Sequence, residues 1–436
     1  MRREIQKRGA CWCMFICALV CLLSVAPPPR LSPAVAAHGR VTETRAGRLA
    51  VFDDVSTTVR ARYYDPALGG VDWRALDASL RPLAADARTQ TELYAVLRRL
   101  VAPLHDAHTR VYPPGEYADW QHPRYLTTGV ALREIVGALV VARVEPKSEA
   151  ARGGVRVGDE LLSVDGIEAA TLFARRRAEL GGSSTAAAAR REALARLFDG
   201  PSDAPVAAVF ADARGRTRAV QLQRKWAERA PAFNATRAGA YAIVAFNTFT
   251  PQIALALTRA LHTDLARARG LVLDLRDNGG GDAEAMTDIA SAFLPPGTSL
   301  GSFTDRAGQV TAAPQTRTAL LLAADEAARF RGPLVVLVST RTASAAEVFV
   351  AALKERGRAL LVGEATCGCV LGIRRRHTLP DGGALDLSEL DYHTAAGTRL
   401  EGAGLAPDEL LAPTRDDLSK GRDPVVARAL ELLKTR

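Results

Sequence analysis

The sequence predicts a multidomain α/β protein, and three observations support this. The 436 residues are long enough for two or three domains, and 48% of them are hydrophobic, an ordinary share for a globular chain. Short apolar, β-branched runs alternate with stretches of helical spacing. The pattern changes from helical to strand-like near residue 125. These changes divide the chain into five segments: 1–37, 38–120, 122–226, 236–415 and 416–436.

Residues 1–37 have the pattern of a secretory signal peptide. Basic residues at the start precede an apolar run from Cys11 to Ala26, and small residues end at Ala37, where cleavage is expected. The alternative is a signal anchor that stays in place, but the apolar run is short for a membrane span. The sequence therefore predicts an exported protein, periplasmic or extracellular, with no stable membrane span after cleavage.

Cleavage of the signal would leave two of the six cysteines, Cys367 and Cys369. A disulfide across one intervening residue is geometrically unfavourable, so we expect two buried, unpaired thiols. Cys369 is then interpreted as a small apolar filler. A second nucleophile and a strained bond to Cys367 are the alternatives.

Neither charge nor motifs indicate nucleic acid, a metal or a cofactor. The net charge of +9 is spread along the chain and not gathered in basic runs. His105, Asp106 and His108 could ligate a metal, but no second acidic or cysteine cluster completes a site. The glycines at 279–281 lack the lysine and the spacing of nucleotide-binding loops.

The segment before residue 120 is predicted to be helical. Apolar residues recur there at intervals of three and four, as at Trp73, Leu76 and Leu80. The helical region ends in the motif LHDAHT at residues 104–109.

Residues 125–225 predict short strands at Ala138–Val144 and Glu160–Val164, with a short helix at Ser148–Arg152. The pattern from Gly154 to Gly166 closely resembles a PDZ domain. In that family a glycine-bearing loop offers backbone N–H groups to the terminal carboxylate of a peptide, and a helix, here Ala186–Phe198, lines the groove. The resemblance assigns that loop to Thr128, Gly129 and Val130. The alternative is a domain that acts only as a lid or spacer.

The region after residue 236 predicts a strand-and-helix unit. Leu334–Val338 forms a short, continuous, β-branched run typical of a buried strand, and a Ser/Thr-rich turn joins it to an Ala-rich helix. Ser344 therefore lies near a helix N-terminus, where backbone N–H groups can stabilise an oxyanion. The ordinary alternative is that Ser344 only caps the helix. Further elements are predicted at Pro251–Arg269 (helix), Leu271–Leu275 (strand) and Ala283–Phe293 (helix).

The order of motifs resembles peptidase family S41, which contains the C-terminal processing proteases and the tricorn core proteases. The motifs are LHDAHT, the PDZ-like segment, LDLRDNGGG, STRTASAAEVF, GEATCGCVLG and LEGAGLAPDE. The resemblance implies a ClpP/crotonase-like core with a helical N-terminal region and an inserted PDZ domain, and no cofactor. It implies that Ser344 is the nucleophile and that Glu347 completes its motif. The oxyanion donors would be the amide of Ala345 and that of Gly280 or its neighbour Gly279.

The general base is where the sequence departs from the processing proteases. Their lysine stands 25 residues after the serine, which is Cys369 in this chain, so a Ser-Lys dyad at that place is excluded. Lys354 lies ten residues along the same predicted helix, about 15 Å away by helical rise.

The tricorn branch uses serine, histidine and glutamate, and His108 and Glu401 match its pattern. That branch also carries a serine just before its histidine, where Ala107 stands here. His105 is the competing base, and Asp106 could orient either ring. The remaining candidates, His377 and His393, are interpreted as structural.

The predicted function is that of an exported serine endopeptidase with acyl-enzyme chemistry. It would cleave peptides or the C-terminal regions of proteins, and the PDZ domain would engage a free C-terminus of the substrate. The alternative is a catalytically inactive S41-like binding protein for peptides or apolar ligands, because Cys369 replaces the usual lysine. An esterase that uses the same serine is a third, weaker possibility.

Overall fold

The computed structural model describes residues 41–114, 124–180, 183–200, 204–228, 230–318 and 329–435. The predicted signal peptide lies outside these residues. Within the described ranges, no helix combines the length and apolar character that a membrane crossing requires.

The described chain opens with three helices, α1 (Arg45–Arg62), α2 (Trp73–Asp86) and α3 (Gln90–Val101), followed by the short strand β1 (Arg110–Tyr112). Each helix begins after a residue whose side chain accepts a hydrogen bond from an amide of the first turn. These residues are Thr44, Asp72 and Thr89. Single-turn 3-10 helices lie at Val41–Glu43, Leu68–Gly70 and Ala102–Leu104. The predicted helical region is confirmed.

Residues 124–228 form a second structural unit, which we call the inserted unit. Its strands are β2 (Arg124–Thr127), β3 (Val130–Ile135), β4 (Ala138–Val144), β5 (Glu160–Val164), β6 (Ile167–Glu168), β7 (Pro205–Ala211), β8 (Thr217–Gln223) and β9 (Lys225–Glu228). Its helices are α4 (Glu149–Arg152), α5 (Ala169–Leu180) and α6 (Ala186–Ala195).

The main sheet of the inserted unit has the order β3-β4-β5-β7-β8, with β6 paired to β5. The two predicted strands are confirmed as β4 and β5. Helix α5 was not predicted. Helix α6 ends three residues before Phe198, the end expected from the sequence. The strands β2 and β9 pair with each other, so the chain enters and leaves the unit at neighbouring positions.

The remaining residues form the core. Its strands are β10 (Phe233–Ala238), β11 (Tyr241–Phe246), β12 (Leu271–Asp274), β13 (Ser302–Asp305), β14 (Val310–Ala312), β15 (Leu334–Val338), β16 (Leu360–Gly363), β17 (Gly372–Thr378), β18 (Ala384–His393) and β19 (Glu409–Leu410). Its helices are α7 (Pro251–His262), α8 (Ala283–Ser291), α9 (Ala345–Glu355), α10 (Arg415–Ser419) and α11 (Pro424–Lys434).

The central sheet of the core has the order β10-β11-β12-β15-β16-β19 and is parallel except for the β10–β11 pair. Alternate residues of each strand face opposite sides. Leu271, Leu273 and Val336 pack with α7, α8 and α9, whereas Val272 and Val335 pack with α11. Because both faces are covered, the strands are apolar throughout, and this explains the continuous run at Leu334–Val338.

A second sheet, of order β1-β18-β13-β14 with β17 paired to β18, joins the N-terminal helices to the core. Leu385 and Leu387 of β18 share one apolar cluster with Phe52, Leu97 and other residues of the helices. The position of β1, and of the residues just before it, is therefore fixed by the core.

The largest departures from the predicted helices lie in the core. Helix α7 ends at His262 and not at Arg269, because the amide of Leu265 turns back to the carbonyl of Ala260 and closes the helix. The single C-terminal helix expected over 416–436 is two helices, since Gly421 has a φ of 62° and Pro424 starts a new helix in its first turn.

Candidate active site

Three loops of the core meet at the carboxyl ends of adjacent parallel strands. The glycine-rich loop follows β12, the Ser/Thr-rich turn follows β15, and residues 364–371 follow β16. In open parallel α/β sheets this edge is where ligands bind, because the loops diverge there and leave a crevice. The predicted nucleophile lies at this edge.

Ser344 immediately precedes α9, as predicted, but its backbone is unusual. Its φ and ψ are 56° and −127°, whereas an ordinary N-cap residue is extended. Its amide donates to the carbonyl of Cys369 at 2.9 Å and to Oε2 of Glu347 at 3.3 Å. A non-glycine residue holds such a conformation only where its surroundings impose it, and strain of this kind concentrates at functional sites.

The glycine-rich loop passes directly against Ser344. A Cβ on Gly280 would lie 2.8 Å from the Cβ of Ser344 and 3.0 Å from the amide nitrogen of Ala345. The Gly280 amide already donates to Oδ1 of Asn278 at 2.9 Å, which leaves it unsuited to bind an oxyanion. The neighbouring Gly279 is exposed, and its amide has no hydrogen-bond partner in the described part of the chain. Of the two glycines named from the sequence, the geometry favours Gly279.

Glu347 ties the loop after β16 to helix α9. Its carboxylate accepts hydrogen bonds from the Thr366 hydroxyl at 2.5 Å and from the amides of Gly368 and Cys369 at 2.8 and 2.9 Å. Burial raises the pKa of this carboxyl, and these hydrogen bonds oppose the shift. Glu347 is thus a structural anchor next to the serine, a role that the sequence did not reveal.

Cys367 and Cys369 form a disulfide, and the expectation of two unpaired thiols is wrong. The Cα atoms lie 5.2 Å apart, within the ordinary range for a disulfide. Gly368 between them has a φ of 68°, and this left-handed turn brings the two side chains to the same side of the loop.

The loop that carries His108 lies beside this disulfide. Ala107 packs against an apolar cluster formed by Ala188, Ala343, Cys367 and Cys369. The Nδ1 atom of His108 is buried and has no hydrogen-bond partner among the described residues. Burial lowers the pKa of His108, and Asp106 opposes the shift, so the ring favours its neutral, proton-accepting form.

His105, the competing base, and Asp106, the alternative orienting residue, have other positions or contacts. The side chain of His105 is exposed, and this residue has the left-handed backbone that ends the last 3-10 helix before β1. Asp106 accepts from the backbone amide of His108 at 2.8 Å and from the hydroxyl of Thr109, so it shapes the loop. The hydrogen bonds of its carboxylate therefore come from a backbone amide and a hydroxyl, and not from an imidazole ring.

Glu401 contacts the loop that follows β16. Its Oε2 accepts from the amides of Val370 and Leu371 at 2.7 and 3.3 Å, and its buried Oε1 has no partner in the described ranges. Burial raises the pKa of Glu401 to about 7, and Asp106 adds to the shift. Hydrogen bonds from Ser184 and from the Val370 and Leu371 amides oppose it. Val370 directly follows Cys369, which holds Ser344, so Ser344 and Glu401 contact the same loop, and Ala107, the neighbour of His108, packs against that loop.

The remaining candidates lie elsewhere. Lys354 pairs with Asp408 at 2.9 Å and donates to the carbonyl of Ala406, well along α9 from Ser344. His377 lies in β17 against Glu389, at 3.2 Å, and His393 is the last residue of β18.

The predicted peptide loop lies at the start of edge strand β3. The Gly129 amide donates to the Thr127 hydroxyl at 3.0 Å, and the Gly129 carbonyl accepts from the Glu145 amide. The hydroxyl of Thr128 is buried without a partner among the described residues, and Val130 begins the strand. Helix α6 lies next to β3, and the assignment of this place to a peptide groove stays a prediction.

Ser184 is a residue of the site that sequence reasoning missed. Its hydroxyl accepts from the amide of Ala107 at 3.0 Å, and it is among the groups that lower the pKa of Glu401. It belongs to the inserted unit, far in sequence from both partners. The local sequence GGSST is typical of a loop before a helix and gives no signal of this role.

Comparisons with known proteins agree with this architecture. Residues 240–411 match the model of peptidase family S41, and residues 45–102 match that of the tricorn protease C1 domain. The chain is 29% identical over 390 residues to a chloroplastic C-terminal processing peptidase of Tetradesmus obliquus, covering 83% of this chain and 77% of the relative. It is 28% identical over 373 residues to a carboxyl-terminal-processing protease of Synechocystis, covering 81% and 78%.

Among solved structures, the photosystem II D1 C-terminal processing protease is similar, with a TM-score of 0.55 and 25% identity over 85% of this chain and 97% of that one. The fold and the matches together place the chain in the class of serine peptidases. Within that class, its residues 240–411 match peptidase family S41, and carboxyl-terminal-processing proteases are among the proteins to which the chain is similar.

Proposed function

We propose that this protein is an exported serine endopeptidase that processes peptides or protein C-terminal regions through an acyl-enzyme. Ser344 is the nucleophile, His108 the general base and Glu401 the residue that orients the base, and the amides of Ala345 and Gly279 bind the oxyanion. The observation that carries the proposal is the strained backbone of Ser344 at the start of α9, against the glycine-rich loop.

The chemistry follows from this arrangement. The neutral His108 ring takes the hydroxyl proton as the Ser344 oxygen attacks the scissile carbonyl, and the same ring then protonates the leaving amine. The negative charge on the carbonyl oxygen develops beside backbone N–H groups at a helix N-terminus, which need no reorganisation to stabilise it. Water then releases the acyl group by the same sequence of proton transfers.

The proposal does not require a lysine. The position that would hold one is Cys369, whose sulfur is bonded to Cys367 in an apolar cluster. The half-buried histidine and the buried carboxylate, each with one buried polar atom that has no partner among the described residues, supply an acid–base pair in its place.

Export and recognition of a free C-terminus are part of the same proposal. The signal-like residues 1–37 and the disulfide both favour an oxidising compartment, where such bonds persist. The glycine-bearing loop Thr128–Val130 lies at the edge strand β3, next to α6, where a peptide can add a strand. Its carboxylate would displace the Thr127 hydroxyl from the Gly129 amide.

The proposal is tested with purified mature protein, a fluorophosphonate probe and a library of peptides with free C-termini. The wild-type protein should be labelled at Ser344, and Ser344→Ala should lose both labelling and turnover by at least about a thousandfold. His108→Gln should lose turnover to a similar extent, whereas the matched control His105→Gln should keep it.

Two outcomes would overturn the assignment. Turnover that survives in Ser344→Ala would exclude Ser344 as the nucleophile. An ordered protein that binds peptides but is neither labelled nor active would instead support the inactive binding protein, for which the absence of the usual lysine is the motivating observation.

A further inference from the structure

An open cavity of about 440 Å³ lies between the N-terminal helices and the core. Its volume falls within the range of sites that hold small ligands. Of the described residues that line it, none belongs to the inserted unit or to the three loops around Ser344. Its charged lining residues are Arg62, Asp305, Arg306, Arg374 and Glu389.

The two carboxylates of this cavity are already engaged by the protein. Oδ1 of Asp305 accepts from two backbone amides of its own turn, at 2.9 and 3.1 Å, and so stabilises the turn between β13 and β14. Glu389 is buried, and its Oε1 lies 3.2 Å from Nε2 of His377. The same oxygen lies 3.9 Å from the guanidinium of Arg62. In the described part of the chain, neither carboxylate forms a short ion pair with an arginine of the cavity.

Two of the three arginines keep a positive charge that no carboxylate compensates. Arg306 donates to the backbone carbonyls of Tyr63 and Asp65, just after α1, at 2.9 and 3.4 Å. Carbonyl oxygens hold a guanidinium in place but carry no net charge. Arg374 is exposed and forms no hydrogen bond or ion pair with the residues that the structure describes. The cavity therefore presents guanidinium groups that are available to an anion.

Both strands of the cavity depart from a regular ladder where they contribute to its lining. The register of β17 and β18 shifts twice, which leaves Glu389 without a ladder partner and then sets Arg374 and Arg375 opposite a single residue. Such bulges change the direction of side chains and are frequent next to functional sites. Of the two adjacent arginines, only Arg374 lines the cavity.

We propose that this cavity is a binding site for a phosphate group, supplied by inorganic phosphate or by a phosphate monoester. A guanidinium offers a planar fork of N–H donors that matches the oxygens of a phosphate, and a phosphate group carries a charge of about −1.5 to −2 at pH 7. Arg62 comes from α1, Arg306 from the turn after β13 and Arg374 from β17, so a bound phosphate links the N-terminal helices to the core. The site is separate from Ser344 and does not depend on peptidase activity.

The test is equilibrium dialysis of the purified mature protein against inorganic phosphate at constant ionic strength. The wild type should bind one phosphate per chain saturably. Arg374→Gln should raise the Kd about tenfold, the effect of losing one charge-assisted contact, and it removes no contact among the described residues on which folding depends. The matched control Arg375→Gln removes the same charge just outside the cavity and should leave the Kd within about twofold, because solvent and salt screen an exposed charge. Ser344→Ala should bind phosphate as the wild type does.

Two further ligands define the chemistry of the site. Glycerol 3-phosphate that binds more tightly than phosphate would identify a monoester as the ligand, and equal or weaker binding would identify the free ion. Acetate, a planar monoanion, should bind more weakly than either.

Thermal unfolding gives a second readout. Saturating phosphate should raise the Tm of the wild type and of Arg375→Gln but not that of Arg374→Gln, because a ligand that binds only the folded state stabilises it. Three results would overturn the proposal: no saturable binding of either phosphate compound, equal weakening in the two arginine variants, or acetate that binds as tightly as phosphate.

Discussion

The backbone amide of Ser344 donates to the carbonyl oxygen of Cys369 at 2.9 Å. The proposed nucleophile is thus held by the residue at the position where the resemblance to C-terminal processing proteases implies a lysine. The contact runs through the backbone, so the side chain at 369 can change while the loop keeps its support of the serine.

The first prediction concerns the glycine loop. Gly280→Ala should reduce turnover and Ser344 labelling by more than a hundredfold, because the new Cβ would lie 2.8 Å from that of Ser344 and the φ of 99° disfavours any side chain. The control is Gly308→Ala, where φ is 74° but nothing lies within 4 Å. That variant should keep its activity; equal losses in both variants would show that backbone strain alone is responsible.

The second prediction is a pH dependence. Because burial raises the pKa of Glu401 to about 7 and lowers that of His108, activity should fall as pH drops through about 7, where Glu401 loses its charge while His108 is still neutral. The charge of Asp106 raises the pKa of Glu401 further, and Arg399 is a second charged group that interacts with Glu401. The measurement is kcat/KM between pH 5 and 9, with a decline of about tenfold per unit on the acid side.

Glu401→Gln is the matched variant for this profile. It should have much lower kcat/KM, and the limb near pH 7 should be absent. A wild-type profile that stays flat down to pH 5 would contradict the role of Glu401.

The third prediction concerns the disulfide. Reductant should lower the stability of the mature protein by roughly 1–2 kcal/mol, the value expected for a cross-link that closes so short a loop. Thermal unfolding with and without reductant measures the effect. The double variant Cys367→Ser/Cys369→Ser should unfold at the lower temperature in both conditions. Two free thiols detected in the denatured, unreduced protein would contradict the bond.

The fourth prediction concerns Glu347. Glu347→Ala should destabilise the fold by about 3 kcal/mol or more, because the Thr366 hydroxyl and the amides of Gly368 and Cys369 lose their acceptor in a buried place. Glu355→Ala at the exposed end of α9 is the control and should stay within about 0.5 kcal/mol of the wild type. Urea unfolding gives both values.

Most of the fold could be predicted from the sequence, because strands and helices are indicated by the residue pattern of each segment alone. Strands β4, β5 and β15 were located to the residue because they are short β-branched runs between turns. Helix ends were less predictable. The end of α7 depends on a hydrogen bond from the amide of Leu265 to the carbonyl of Ala260. The amphipathic pattern of the sequence continues past this point and therefore does not predict where the helix ends.

The site was predictable only where residues lie in a motif. Ser344, His108 and Glu401 could be named because each lies within a recognisable sequence motif. Their roles stay proposals. The disulfide was missed because sequence spacing says nothing of the left-handed turn at Gly368. Ser184 was missed because its contact is tertiary. A serine in a loop has many possible partners, and only the packing of α6 on the core places its hydroxyl against the amide of Ala107.

The pairing of β1 with β18 has a consequence for the time course of folding. Arg110 pairs with Asp386 and Tyr112 with Ala384, so the strand that follows His108 is placed by residues near the other end of the chain. Contacts of such sequence separation form late, because the entropy of closing the loop must be overcome first. A nascent chain would therefore contain His108 long before the residues of β18 that fix the strand after it, and we expect the chain to be inactive as a peptidase until folding is complete.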